Sequence, residues 1–362
     1  MPDALRLGVV GCGRVFERFH LPAIERAAES ARRVALVAVC DADAARRAWA
    51  AARLPTVAVV ASIAELVRTR PDAVVVLTPP TTHRDISTAT LEAGLHVLVE
   101  KPMALTAADA RAMAAAAASA KRCLHVGFTR RHRSPYLRLA GAIGRMNIGA
   151  PRAARFELSF PIGTWAAHDA FLGRDALGGG VLDDVLSHQI DLLGALWGTW
   201  PESARVLAAP EHERTRARIT CELRFPGGAL ARCVAAHGAY VERLELELAR
   251  GHIMAASGTA VWRARRWAGP VARRAAIFGD QVALARGKLT RRRGVTARSF
   301  ERQLDEFVRA LHDGGLARAG PPEGGAGDTL RGADAAAGVR VVATIDACRA
   351  SVASGGKWVD AA

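Results

Sequence analysis

No stretch of the 362-residue chain approaches the roughly 18 consecutive apolar residues of a membrane span, so no membrane span is expected. No basic segment precedes the first apolar run, Leu5–Val10, so a secretory leader is not expected either. Cysteine is sparse and scattered: Cys12, Cys40, Cys123, Cys221, Cys233 and Cys348 form no CxxC pair. A disulfide framework is thereby excluded, and the six are expected to be reduced, small buried hydrophobes of a cytoplasmic protein. Acid is short relative to base, 35 Asp and Glu against 50 Lys and Arg, for a net charge of +15. What the chain does have is an ordinary globular composition, half hydrophobic and 23% charged, which excludes intrinsic disorder. At about 100–200 residues per domain, two domains or one large one are expected.

Short β-branched runs alternate with helical segments over the first third. Leu5–Val10, Val34–Cys40, Ala73–Leu77, His96–Val99 and Leu124–Phe128 have strand length, and each is apolar on both faces. Ser62 with Glu65 and Thr106 with Asp109 are capping-box-like helix starts, and Gly94 suits a helix C-cap. Such alternation predicts a doubly wound parallel sheet covered on both sides. Beyond residue 127 the period changes to two, with Arg152–Phe160, Arg218–Phe225, Ala229–Ala235 and Tyr240–Ala249 as strands of a mainly antiparallel open sheet. The fold class is therefore α/β: a Rossmann domain over residues 1–127 and an α+β domain over 128–362.

The run Gly8 to Phe16 closes the first strand and opens a helix. Gly11 permits the tight turn, and Gly13, Arg14 and Val15 offer backbone N–H groups to a pyrophosphate; Phe16 replaces the third glycine of the usual dinucleotide fingerprint. Asp41 ends the second strand, where a carboxylate accepts from ribose hydroxyls and repels a 2′-phosphate. No arginine immediately follows it, which favours NAD over NADP. Thr78, Pro79 and His83 follow Ala73–Leu77, at the end of a strand where such sheets place ligands; His83 is either part of that wall or a satisfied helix-start histidine. Glu100, Lys101 and Pro102 follow His96–Val99, and a lysine there can aim a cation at an oxygen that gains negative charge. After Gly178, Gly179 and Gly180 a helix carries Asp183, Asp184 and His188. At 100° per residue Asp184 shares a face with His188, and Asp183 points elsewhere. The Asp184–His188 pair suits an oriented acid/base, a structural hydrogen bond or half of a metal site; no further His, Asp or Glu cluster supports a metal, and none is expected.

Taken in order, these pieces resemble the Gfo/Idh/MocA oxidoreductases, together with Phe19-His20-Leu21-Pro22-Ala23, Val126-Gly127-Phe128 with Arg130-Arg131, and Gln303-Leu304 with Phe307. The resemblance implies an NAD(P)-dependent dehydrogenase or reductase, and a homo-oligomer (dimer or tetramer). Its substrate would be a secondary hydroxyl or keto carbon of a sugar, nucleotide-linked sugar or cyclitol. It implies that His188 is the acid/base, that Lys101 stabilises the substrate oxygen and that Asp184 orients His188 or binds a neighbouring hydroxyl. Arg130, Trp165 and Arg174 are further substrate candidates. A glycoside-cleaving relative that uses NAD transiently and a non-catalytic dinucleotide sensor remain alternatives.

The charge excess is regional, with twelve Lys or Arg against a single acid, Asp280, between Arg250 and Ser299. A solvated basic face, a surface for a phosphate-bearing substrate and an interfacial segment all suit it. Nucleic acid is not an expected partner, because helix-turn-helix, zinc and aromatic RNA-binding signatures are missing.

Overall fold

The computed structural model describes residues 4–31, 34–146, 149–161, 180–208, 218–256, 262–266, 295–312, 330 and 332–361. They fall into two compact units: Met1–Thr129 with Thr296–Ala319 and Gly332–Val342, and Arg130–Val295 with Gly320–Arg331 and Ala343–Ala362.

In the first unit, β1 (Leu5–Val10), β2 (Val34–Cys40), β3 (Ala58–Val60), β4 (Ala73–Val76), β5 (His96–Val99), β6 (Leu124–Val126) and β14 (Ala333–Asp334) form one sheet in the order β14-β6-β5-β4-β1-β2-β3. All neighbours are parallel except β14 on β6, so the expected Rossmann sheet is present with one short antiparallel edge. The helices are α1 (Leu21–Ala31), α2 (Ala44–Arg53), α3 (Ile63–Arg68), α4 (His83–Glu92), α5 (Ala107–Ala120) and α8 (Val295–His312). Their starts follow the sequence signals. Ser62 Oγ accepts from Glu65 N, Thr106 Oγ1 accepts from Asp109 N, and Gly94, past the end of α4, has φ 81°. Val74, Val75, Val97 and Leu98 are buried at the centre, as a sheet covered on both faces requires.

In the second unit, β7 (Pro151–Phe160), β8 (Ser203–Ala208), β9 (Arg218–Arg224), β10 (Leu230–His237), β11 (Val241–Leu248), β12 (Gly251–Ala256), β13 (Trp262–Arg266) and β15 (Val359–Asp360) pair in the order β13-β12-β11-β7-β10-β9-β8-β15. Only β7 and β10 pair in parallel; the others are antiparallel. Phe156, Leu158, Leu223, Cys233, Leu244 and Leu246 fill the inner face, while Arg155, Arg232 and Arg243 stand on the other. The expected period-two patterning is thus realised with one dry and one wet face. Helices α6 (Ser134–Met146) and α7 (Ser187–Trp197) belong to this unit, and α9 (Ala335–Ala353) supplies residues to both. All six cysteines are free and buried. Among the described residues no helix is long and apolar enough to cross a membrane.

A buried charge cluster ties the start of this unit to β11. Glu242 accepts from Arg130, from Arg133 at 2.8 and 2.9 Å, from the Tyr136 hydroxyl at 2.7 Å and from the Tyr240 hydroxyl at 2.5 Å. Both tyrosines of the chain are spent here. Burial pushes the Glu242 carboxyl up, but the two guanidiniums and two hydroxyls outweigh it and hold the group below its ordinary value near 4.5. A depressed folded-state value contributes stability above the unfolded value, and that stability is lost as pH falls through the folded one. Urea unfolding of Glu242→Gln should therefore show a loss of about 3–5 kcal/mol at pH 7, where two arginines are left uncompensated, and a flatter stability profile below pH 5 than the parent chain.

Candidate functional site

The carboxyl ends of β1, β2 and β4 meet at the glycine turn. Gly11 has φ 100°, and a Cβ there would lie 2.9 Å from the Leu77 carbonyl and 3.0 Å from Thr78 N, so only glycine fits. Its N–H donates to Cys40 O at 2.8 Å. Asp41 then fixes the loop: Oδ2 accepts from Cys12 N at 2.7 Å and Oδ1 from Asp43 N at 2.9 Å. Two carboxylate oxygens carry about four acceptor sites, so capacity remains for ribose hydroxyls. Gly13 is different, since a Cβ there would meet no protein atom within 4 Å. Arg14 and Val15 follow half-buried at the head of a helix, where N–H groups and the helix dipole suit a pyrophosphate. These residues fit a dinucleotide.

Phe16 does not intrude on this cradle. Its ring is fully buried against Trp49 at 6.2 Å and opens a π-helical turn, Phe16–His20. Sequence reasoning missed Arg46 and Arg47, which α2 folds back onto the loop. Arg46 Nε donates to Cys12 O at 2.7 Å, and Arg47 donates to Asp41 O at 2.9 Å. Burial first, then the Asp41 carboxylate, lifts the Cys12 thiol to about 12, which makes it inert.

Thr78 and Pro79 leave β4, and His83 begins α4 with its ring fully buried. Nε2 lies 2.8 Å from Thr78 O and Nδ1 2.9 Å from Pro102 O, so the ring joins the loops after β4 and β5. Burial pushes its pKa below the ordinary imidazole value, against the pull of those carbonyls. A neutral ring carries a hydrogen on one nitrogen only, so it donates to one of the two carbonyls. Glu100 at the end of β5 accepts from Lys101 N at 3.1 Å and pairs with His20 Nε2 at 2.9 Å. His20 itself packs edge-on against Phe300 of α8, which also stacks on Phe19. Lys101 is half-buried, joined to Pro102 by a cis peptide bond.

In the second unit, the chain enters α7 through another π-helical turn, Leu182–Leu186, in which Ser187 N reaches back to Leu182 O. The turn is wider than an α turn, so the 100° spacing used to pair Asp184 with His188 is only approximate across it. Asp184 Oδ2 is 3.1 Å from Nε2 of His237, at the end of β10. Asp183 instead receives Arg349 of α9, at 2.6 Å to each oxygen. His188 is 7% exposed. On the helix beyond it, Gln189 Nε2 donates to Phe156 O and Val234 O, and Asp191 holds the buried Arg131 guanidinium at 2.9–3.0 Å. His237 is a residue sequence reasoning missed; it lies 53 positions from Asp184 in no recognisable pattern. Arg130 stands on Glu242 and over the Phe160 ring at 5.6 Å. Trp165, Arg174 and most of the basic stretch, 257–261 and 267–294, lie outside the described residues. Among the described residues no group of three or more His, Cys, Asp or Glu could hold a metal ion.

A strand-turn-helix cradle with an acidic residue ending β2, followed by an open-sheet domain with an Asp-x-x-x-His helix, defines a dinucleotide-binding oxidoreductase class. Residues 5–128 match the profile described as "Oxidoreductase family, NAD-binding Rossmann fold", and residues 136–260 match the "GFO/IDH/MocA C-terminal domain". The chain belongs to the Gfo/Idh/MocA oxidoreductase family, with an NAD-binding Rossmann domain. It is 32% identical to the uncharacterized oxidoreductase YdgJ of Escherichia coli (strain K12) over 199 residues, 55% of each chain. It is 39% identical to inositol 2-dehydrogenase 1 of Saccharopolyspora erythraea over 150 residues, 41% of this chain and 43% of that one. With the UDP-N-acetylglucosamine 3-dehydrogenase of Acidithiobacillus ferrooxidans the figures are 33% over 208 residues, 56% and 58%. The matches thus span about half the length of these curated relatives. Among solved structures, the WlbA dehydrogenase of Bordetella pertussis with NADH and UDP-GlcNAcA superposes with a TM-score of 0.77 at 20% identity, covering 99% of this chain and 98% of that one. Myo-inositol 2-dehydrogenase of Lactobacillus plantarum gives 0.75 at 21%, covering 99% of both. At such identities the likeness establishes the fold.

The two glycines should respond oppositely to substitution. Gly13→Ala should leave the melting temperature of the cofactor-free protein within about 1 °C and weaken NAD binding about tenfold or more by calorimetry, because the new methyl enters cofactor space. Gly11→Ala should destabilise the fold itself by about 1–3 kcal/mol, since the Leu77 backbone cannot retreat. Unchanged NAD affinity in Gly13→Ala would remove the cradle assignment.

Proposed function

We propose that the chain is an NAD-dependent oxidoreductase acting on a secondary hydroxyl, or the matching keto carbon, of a cyclitol, a sugar or a nucleotide-linked sugar. The observation that carries this reading is the Asp184 and His188 pairing of residue types at the head of α7, together with Lys101 ending β5, in a chain of this family. The names of the relatives, inositol and UDP-sugar dehydrogenases, support the substrate class. NAD, when bound, supplies the hydride acceptor. His188 takes the proton from the substrate hydroxyl in oxidation and returns it in reduction, a contribution of about 10²–10⁴-fold when well placed. Lys101 holds the oxygen and stabilises its developing charge. Asp184 fixes the polar surroundings of that exchange, and Asp41 selects NAD by meeting ribose hydroxyls and repelling a 2′-phosphate.

The test is NAD⁺ reduction against a panel of myo-inositol, scyllo-inositol, free hexoses and UDP-N-acetylglucosamine. Lys101→Ala and His188→Ala should each abolish turnover of the active compound and leave NAD affinity largely intact; parental rates in both would sink the assignment.

We further propose a cytoplasmic homo-oligomer, dimer or tetramer. Six buried free thiols suit a reducing compartment. Across the wet face of the second sheet the register aligns Arg205, Glu222, Arg232, Arg155 and Glu245 in one row. Two such mixed rows brought together by a two-fold axis set arginine against glutamate. Light scattering should give at least twice the 38.3 kDa chain mass, and Arg155→Glu with Arg232→Glu should reduce it; a monomeric parent chain would refute the proposal.

A further inference from the structure

We infer that His237 is a positioning residue for Asp184, and through it for His188. The inference rests on the proposed role of the Asp184 and His188 pair, and it assigns the strand that keeps that pair in place.

Asp184 sits on a π-helical turn with no side-chain cap of its own. A π turn leaves the i→i+4 pattern of its neighbours, so contacts outside the helix must specify where its side chains go. Two such contacts reach the consecutive carboxylates from different elements: Arg349 meets Asp183 and His237 meets Asp184. Oδ2 of an ionised carboxylate only accepts, so Nε2 of His237 carries the hydrogen. Nδ1 is buried and has no hydrogen-bond partner. The ring therefore offers one working atom, and it is spent on Asp184. The ring is itself rigidly held, its side chain 1% exposed, near the Phe160 ring at 6.3 Å, with the next residue, Gly238, donating to Phe160 O at 3.1 Å.

A second tether makes the arrangement specific. Gln189 donates to Val234 O, so the same strand, β10, grips this segment at Asp184 and again at Gln189. His188 lies between the two grips. Releasing the first lets the π turn relax toward α geometry and carries His188 with it, while the second keeps the helix docked on the sheet.

Glutamine and asparagine separate the two ring nitrogens. A Gln amide reaches the place of Nε2 and can still donate to Asp184; an Asn amide reaches only the place of Nδ1. With the active compound of the panel above, His237→Leu and His237→Asn should lower kcat about tenfold or more, a share of what an oriented acid/base supplies, with NAD affinity unchanged. His237→Gln should restore most of the loss, which a merely structural role would not do. Asp184→Asn is the control. Full turnover there overturns the site reading and this inference with it, whereas full turnover in His237→Leu beside an impaired Asp184→Asn overturns the inference alone. Activity spared in His237→Asn and lost in His237→Gln also overturns it, because Nδ1 would then be the working atom. Independently of substrate and of variant folding, ¹⁵N NMR of histidine-labelled parent protein should show this ring protonated at Nε2 with a bare Nδ1; the opposite tautomer refutes the inference.

Discussion

A buried amide governs the second unit. Gln189 Nε2 donates to Phe156 O and to Val234 O, carbonyls of β7 and β10, the one parallel pair in an otherwise antiparallel sheet. A parallel pair needs a crossover, and a helix lying across it must keep its distance while its polar groups stay satisfied. The amide meets this in part: both of its N–H groups tie α7 to the strand pair, while its own Oε1 stays buried without a hydrogen-bond partner. From there the rest follows: Asp191 reaches the buried Arg131, and the residues before Gln189 are delivered to the end of β10, where His237 waits for Asp184. Losing the amide would cut a direct tie between α7 and this strand pair.

The first unit is governed by a comparable economy at Asp41. One carboxylate accepts from the backbone of the glycine loop and from the backbone opening α2, so the turn and the acidic residue proposed to meet the ribose are parts of the same object. Arg46 and Arg47 come close enough to suggest an anion site, yet their guanidiniums are spent on the carbonyls of Cys12, Asp41 and Ala42. Positive charge near a 2′-position favours a phosphate only when it is free to bond to it. Here the arginines stiffen the loop, and the proposed choice of NAD by Asp41 is in keeping with an NAD-binding domain.

Much of this was legible in the sequence, for identifiable reasons. The strands Leu5–Val10, Val34–Cys40 and His96–Val99 coincide with the apolar runs, because a strand buried on both faces has no other way to be written. Val241–Leu248 coincides with its alternation because one face is wet. The short edge strands β3, β14 and β15 carried no such signal, since two or three residues at an edge need no apolar pattern. The site was legible in its residue types and less so in its pairings. Phe16 looked like a broken fingerprint, and the π turn it opens sends the ring into the core. The second π turn carries Asp184, whose contact with His237 no sequence pattern announced. No composition cue marks either, because a π turn is chosen by what lies across from it in space.

That both π turns fall on the segments that carry the proposed chemistry has a physical basis. A regular helix after a glycine turn would present its side chains at fixed 100° steps, which sets consecutive residues such as Asp183 and Asp184 on different faces and ties their directions to the helix that follows. One extra residue in the turn relaxes that constraint locally and leaves α7 regular from Ser187 onward. The cost is a weaker local hydrogen-bond pattern, offset here by an Arg–carboxylate pair on one side and a His–carboxylate pair on the other. The orientation of the helix head is therefore a property of the strand and helix that grip it, more than of the helix sequence itself.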